Sequence, residues 1–157
     1  MKTNQILQAI ITPLKLTTDE ILEIYGLAGL PMTENRLTSL LHAEGDRDFR
    51  QCSYEELGAF LDGLILLKRG PSPQKSDTEA PIPLTNNLIL KKLRIALELK
   101  EPETEIIFAL GEAELSRQEL KSLFRKEEHK NFRACSDALL MAFLEGLDEY
   151  YYDGEEI

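Results

Sequence analysis

The chain has 157 residues, 43% hydrophobic and 29% charged, and its 18 bases against 28 acids give a formal charge of −10. That composition belongs to one globular domain or two small ones and excludes a disordered or collagen-like chain. Apolar runs such as Leu64–Leu67 and the longer Ala138–Leu144 are far below the ~18 residues of a membrane span, and two cysteines are too few for a disulfide scaffold, so a reducing cytoplasm is the expected setting.

A shift of 83 residues lays the chain on itself without a gap from Asn4/Asn87 to Leu64/Leu147. Identical pairs along it include Ile6/Ile89, Leu7/Leu90, Ile24/Ile107, Leu37/Leu120, Phe49/Phe132, Arg50/Arg133, Cys52/Cys135, Phe60/Phe143 and Gly63/Gly146. Such density marks a tandem duplication. The expected organisation is a first helical repeat over 1–70, a Pro-rich linker over 71–85, a second repeat over 86–152 and an acidic tail over 153–157. Proline lacks an amide donor and disfavours helix before it, so the linker reads as extended.

Each copy reads as four helices, with apolar residues at helical spacing and no sustained alternation. The predicted fold is therefore all-α, a duplicated four-helix unit. Helix one carries Ile6, Leu7, Ile10, Ile11 and Leu14, matched by Ile89, Leu90, Leu93 and Leu97. Asn4 and Asn87 are its expected N-caps, and Pro13 is expected to kink or end the first copy where Ala96 does not. Helix two holds Ile21, Ile24, Tyr25 and Ala28 behind a Thr17–Glu20 capping box, and its copy holds Ile106, Ile107 and Leu110 behind Pro102. Helix three places Leu37, Leu40 and Leu41, then Leu120, Leu123 and Phe124, with Ser116 and Glu119 as a capping box. Helix four places Leu57, Phe60, Leu61 and Leu64, then Leu140, Phe143, Leu144 and Leu147, with Ser53 and Glu56 capping the first.

The tightest local match is Phe49-Arg50-Gln51-Cys52-Ser53 against Phe132-Arg133-Ala134-Cys135-Ser136. A nucleophilic cysteine would need a base, and His42 and His129 stand at unequal distances from their cysteines. The motif is read instead as structural: buried Cys52 and Cys135, Phe49 and Phe132 plugging the core, and Arg50 and Arg133 bonding backbone carbonyls or a carboxylate. Gly63 and Gly146, inside helix four, imply close approach by another helix, since glycine there costs about 1 kcal/mol against alanine. The acidic connection Glu44, Asp46, Asp48 resembles a calcium loop only loosely, because Phe49 stands where that loop needs glycine. No metal, cofactor or catalytic residue is assigned.

The two copies differ most in charge. Helix three of the second has Arg117, Lys121 and Arg125 at i, i+4 and i+8, followed by Lys126, His129, Lys130 and Arg133, while helix one adds Lys91, Lys92 and Arg94. The first copy has Glu34, Thr38, His42 and Ala43 at the positions of Arg117, Lys121, Arg125 and Lys126. A charge stripe is usually a solvated face. As binding surfaces go, an unidentified protein partner leads, and nucleic acid is the alternative, with helices two and three resembling a helix-turn-helix. Interleaved Glu119, Glu127 and Glu128 and the net negative charge oppose phosphate.

Asn86 to Ala96, His129-Lys130-Asn131-Phe132-Arg133-Ala134-Cys135, and Phe60-Leu61-Asp62-Gly63-Leu64 ahead of Lys68-Arg69-Gly70 resemble the signature of the YehS-like family of uncharacterised bacterial proteins. The resemblance spans the whole chain and implies two copies of a domain of unknown function in a cytoplasmic protein, with no activity to carry over. The Tyr150-Tyr151-Tyr152 acidic ending departs from the family's usual basic one. The resulting expectation is a non-enzymatic interaction or regulatory module whose two similar helical faces are suited to a homodimer.

Overall fold

In a computed structural model, the described residues, 2–70 and 84–152, form eight helices and no strand. Most of the Pro-rich linker and the tail from 153 onward lie outside the described residues. The first repeat contains α1 (Thr3–Leu14), α2 (Thr18–Leu27), α3 (Glu34–Leu40) and α4 (Tyr54–Arg69). The second contains α5 (Asn86–Ala96), α6 (Glu101–Leu110), α7 (Arg117–Leu123) and α8 (Asp137–Tyr150). Hydroxyl caps fix most of the starts: Thr17, Thr33, Ser53, Thr85, Ser116 and Ser136 each accept a first-turn amide.

Helix one departs from expectation at both ends. Its N-caps are Lys2 and Thr85, so Asn4 and Asn87 lie within the first turn and their side chains are free for another task. Nor does Pro13 make α1 end early. Both copies close through a left-handed residue at the same place, Lys15 at φ 53° and Glu98 at φ 54°, with Leu16 and Leu99 amides returning to the carbonyls of Ile11 and Arg94. Pro13 sits in the last turn, is buried, and leaves the helix intact to Leu14.

Within each repeat, helix two packs against helix four, α2 on α4 and α6 on α8. Helix one makes its main contact elsewhere. α1 lies against α8 of the second repeat and α5 against α4 of the first, so the repeats exchange their first helices about an approximate two-fold axis. Lys92 of α5 is paired with Asp62 of α4, and Arg69 donates to the carbonyl of Ile95 at 2.9 Å while facing Glu98 at 3.5 Å. A single buried cluster follows, running from Ile6, Leu7 and Ile10 through Tyr25, Phe60 and Leu64 to Ile89, Phe108, Phe143 and Leu147. Tyr25 tilts on Phe60 at 5.9 Å and Phe108 on Phe143 at 5.1 Å, the same pair in both copies. Full burial of side chains this large stabilises by roughly 1.5–3 kcal/mol each.

The close approach implied by the paired glycines is where helix two crosses helix four. A Cβ on Gly63 would stand 2.0 Å from the Ile24 carbonyl oxygen, and one on Gly146 would stand 1.8 Å from that of Ile107. In the second repeat Gly111 repeats the contact against Ala142, at 1.8 Å. Helix two differs from the sequence reading in one respect: Ile106 and Leu110 are 50% and 43% exposed, and Phe108 takes the inward position beside Ile107. The tight crossing at Gly146 sets the rotation of α6, and that rotation turns positions 106 and 110 outward.

Candidate functional site

Two arrangements gather part of what the sequence singles out. The first is a clamp at the start of helix one. Asn4 donates through Nδ2 to the carbonyls of Leu40 and Arg50, both at 2.9 Å, and accepts the Cys52 amide on Oδ1 at 2.9 Å. Asn87 repeats all three contacts with Leu123, Arg133 and Cys135 at the same distances. The preceding residue adds a fourth, Thr3 Oγ1 to the Cys52 carbonyl at 2.6 Å and Asn86 Nδ2 to the Cys135 carbonyl at 3.1 Å. One carboxamide can donate and accept at once, which is why asparagine serves at this position. The Phe-Arg-x-Cys-Ser match is therefore a backbone-recognition motif that ties the loop before helix four to helix one.

The side chains of that motif do not share one role. Cys52 and Cys135 are buried, and burial pushes their thiols up to about 12 and about 11, with Glu56 adding to the first and Arg133 pulling back on the second. They stay protonated and unreactive. Arg50 donates to the carbonyls of Arg47 and Phe49, and Arg133 faces Glu119 at 3.8 Å. Phe49 and Phe132 do not plug the core: both are half-buried and stand outside the buried cluster. The clamp holds the Cys52 and Cys135 backbone against helix one, so the cysteine, three residues later, takes the inward place.

The second arrangement is a cleft of about 340 Å³ between α5, α6 and α7, lined by Arg94, Glu101, Leu120, Lys121, Phe124 and Arg125. Arg94 rises from α5 with Nε donating to the Leu99 carbonyl at 3.0 Å, and its guanidinium lies 4.6 Å from the Phe124 ring centroid. Lys121 is exposed on α7. Arg125 lies past the end of α7, which stops at Leu123 with Phe124 as C-cap, so the expected i, i+4, i+8 stripe is not one helical face. Arg125 Nη1 comes within 3.3 Å of His129 Nε2, and its Nε is buried with no partner among the described residues. His129 accepts the Asn131 amide on Nδ1 at 2.9 Å, which leaves the ring proton on Nε2, so the imidazole offers Arg125 no acceptor. Three cations and one carboxylate meet here. The first repeat has Ile11, Thr38 and His42 at the three cationic positions.

The remaining candidates are not gathered into the cleft. Lys92 is turned to Asp62, and Arg133 to Glu119. Lys91, Arg117, Lys126 and Lys130 are exposed and point to no common feature. Glu101 and the backing role of Phe124 escape a sequence reading because they come from different helices. The Asn4/Asn87 identity was the visible trace of the clamp, but it also fitted capping.

A second pocket, about 380 Å³, lies in the first repeat beside Leu30, Met32, Arg36 and Glu56. There Arg36 donates to both Glu56 oxygens at 2.9 Å. Burial raises the Glu56 carboxyl, but the Arg36 and Ser53 hydrogen bonds outweigh it and hold the group below its usual range. The Tyr25 phenol is buried with no hydrogen-bond partner among the described residues, and that burial pushes its pKa far up. With Arg36 committed to Glu56, the pocket's remaining charge is the exposed Glu55 carboxylate. In the acidic connection, Asp46 accepts the Asp48 amide at 3.0 Å and faces His42 at 3.4 Å, a local turn, and no three His, Cys, Asp or Glu residues converge among the described residues. No helix among them is long and apolar enough to cross a membrane.

Against known proteins, the family described as "Protein of unknown function (DUF1456)" matches twice, over residues 3–70 and 86–151. The chain is 34% identical over 147 residues to "Uncharacterized protein YehS" of Escherichia coli (strain K12), covering 94% of each. No solved structure matches.

Proposed function

The chain belongs to the DUF1456 family of unknown function, and from that premise we propose that it is a non-enzymatic interaction module holding a protein partner through the cationic cleft of its second repeat. The observation that carries this reading is the convergence of Arg94, Lys121 and Arg125 from separate elements on one cleft, at positions where the first repeat has Ile11, Thr38 and His42. The duplicated core and clamp serve both copies alike, and the charge in this cleft is among the features that the copies do not share. An enzymatic reading through the cysteines is opposed by thiols held protonated in the core.

Nucleic acid is the competing occupant, and it would draw on Arg117, Lys121, Arg125 and Lys130. Glu101 within the cleft and the charge of −10 oppose a phosphate chain. The deciding experiment is affinity capture from the native cytoplasm with the full chain and with Lys121→Glu/Arg125→Glu, alongside random RNA and DNA at two salt concentrations. A protein retained by the native chain and lost by the variant supports the reading. Equal capture by both, or salt-sensitive nucleic-acid binding that the variant abolishes, overturns it.

A further inference from the structure

Resting on that reading, we infer that the cleft is a carboxylate slot for an acidic peptide segment, with Arg94 as its recognising fork and Glu101 as the residue that excludes phosphate chains. Arg94 is already ordered. Its Nε is bonded to the Leu99 carbonyl and its plane is backed by Phe124, so its two terminal nitrogens stand in a fixed pose with no acceptor among the described residues. A planar, pre-set fork is the complement of a carboxylate, and little rotamer freedom remains to be lost on binding. Among the described residues Lys121 has no acceptor either, and Arg125 holds a buried Nε without one, an unmet donor that a ligand oxygen would satisfy.

Size and charge narrow the ligand. At about 340 Å³ the cleft stands at the small end of binding pockets and suits one or two side chains. Three cations and Glu101 leave two positive charges, enough for one or two carboxylates. A nucleic-acid strand would carry its charge past the slot, bringing successive phosphates against Glu101. Peptide carboxylates spaced along a chain can seat on Arg94 and leave the neighbourhood of Glu101 to a neutral residue.

The test is fluorescence anisotropy on the full chain with three labelled probes: a peptide of alternating Glu and Ala, its Gln counterpart, and a single-stranded DNA of similar length. The Glu peptide is expected to bind about tenfold or more tightly than the Gln peptide, and Arg94→Lys to lose about tenfold, because lysine keeps the charge but not the fork. Lys68→Ala, exposed on α4, is expected to change nothing. Glu101→Gln is expected to raise DNA binding relative to the Glu peptide. Melting curves establish that each variant is folded, and Lys121→Glu provides a second loss-of-binding variant at an exposed position. Equal binding of Glu and Gln peptides, an unaffected Arg94→Lys, or DNA bound more tightly than the Glu peptide by the native chain overturns the assignment. If the Glu peptide fails while captured protein is still lost on charge reversal, the carboxylate slot falls and the interaction reading stands.

Discussion

Two glycines five residues apart on α4 should respond to alanine with opposite signs. At Gly58 an added Cβ meets nothing within 4 Å, so Gly58→Ala should stabilise by about 0.5–1 kcal/mol through backbone entropy and helix propensity. At Gly63 the same methyl would stand 2.0 Å from the Ile24 carbonyl oxygen and 2.8 Å from Ile24 Cγ2. A carbon and a carbonyl oxygen settle no closer than roughly 3.3 Å, so α2 and α4 must part by more than an ångström along that line. The obstacle is backbone, which cannot rotate away. Overpacking of this kind costs roughly 1–3 kcal/mol and occasionally more, and the upper end applies because the whole helix must move. After the propensity gain, a net loss of about 2 kcal/mol remains, which lowers the melting temperature of a chain this long by roughly 4–8 °C. Thermal and urea denaturation of the two variants beside the native chain would show it. A Gly63→Ala variant that melts with or above the native protein would refute the backbone-contact reasoning, here and at Gly146.

The clamp predicts an asymmetry: Asn4→Ala should cost about 2–3 kcal/mol, since it strands the Cys52 amide and two carbonyls, and Asn87→Ala should cost less because Asn87 is only half-buried, as urea midpoints would reveal. Acid stability should depend on Arg36. The Glu56 carboxyl is held below its ordinary value in the folded chain, so its contribution is complete above the unfolded value near ~4.3 and is lost as pH falls through the lower folded one. Arg36→Met should therefore flatten the acid limb of stability against pH below about 4.5, and an unchanged limb would show that another carboxylate governs it.

The duplication and the helical period were legible because burial writes itself into sequence: Leu57, Phe60, Leu61 and Leu64 recur as Leu140, Phe143, Leu144 and Leu147 at helical spacing, and all eight are buried. The Thr17, Ser53 and Ser116 caps were equally readable, since each acts within three residues, whereas Thr85 was passed over for Asn87. What failed was long-range. Asn4 sits where an N-cap would, and only in the folded chain does its carboxamide reach 36 and 48 residues onward to Leu40 and Cys52. Ile106 and Leu110 fit an apolar face by spacing, but the rotation of α6 is fixed by a glycine on another helix. The cationic stripe was half visible: spacing found Lys121 and Arg125, while Arg94 joins them only through the packing of α5, and the end of α7 at Leu123 divides the stripe.

The traded first helices bear on how this protein tolerates dilution. Two separate single-repeat chains, each lending a helix to the other, would reproduce the same contacts, but they would part as their concentration fell. Joining Gly70 to Leu84 through thirteen residues turns that bimolecular encounter into a unimolecular one, at an effective local concentration on the order of millimolar. Fusion also releases the halves from identity. Once a partner is guaranteed, one copy can acquire an arginine at position 94 while the other keeps isoleucine at 11, and a lopsided surface can evolve on a symmetric frame.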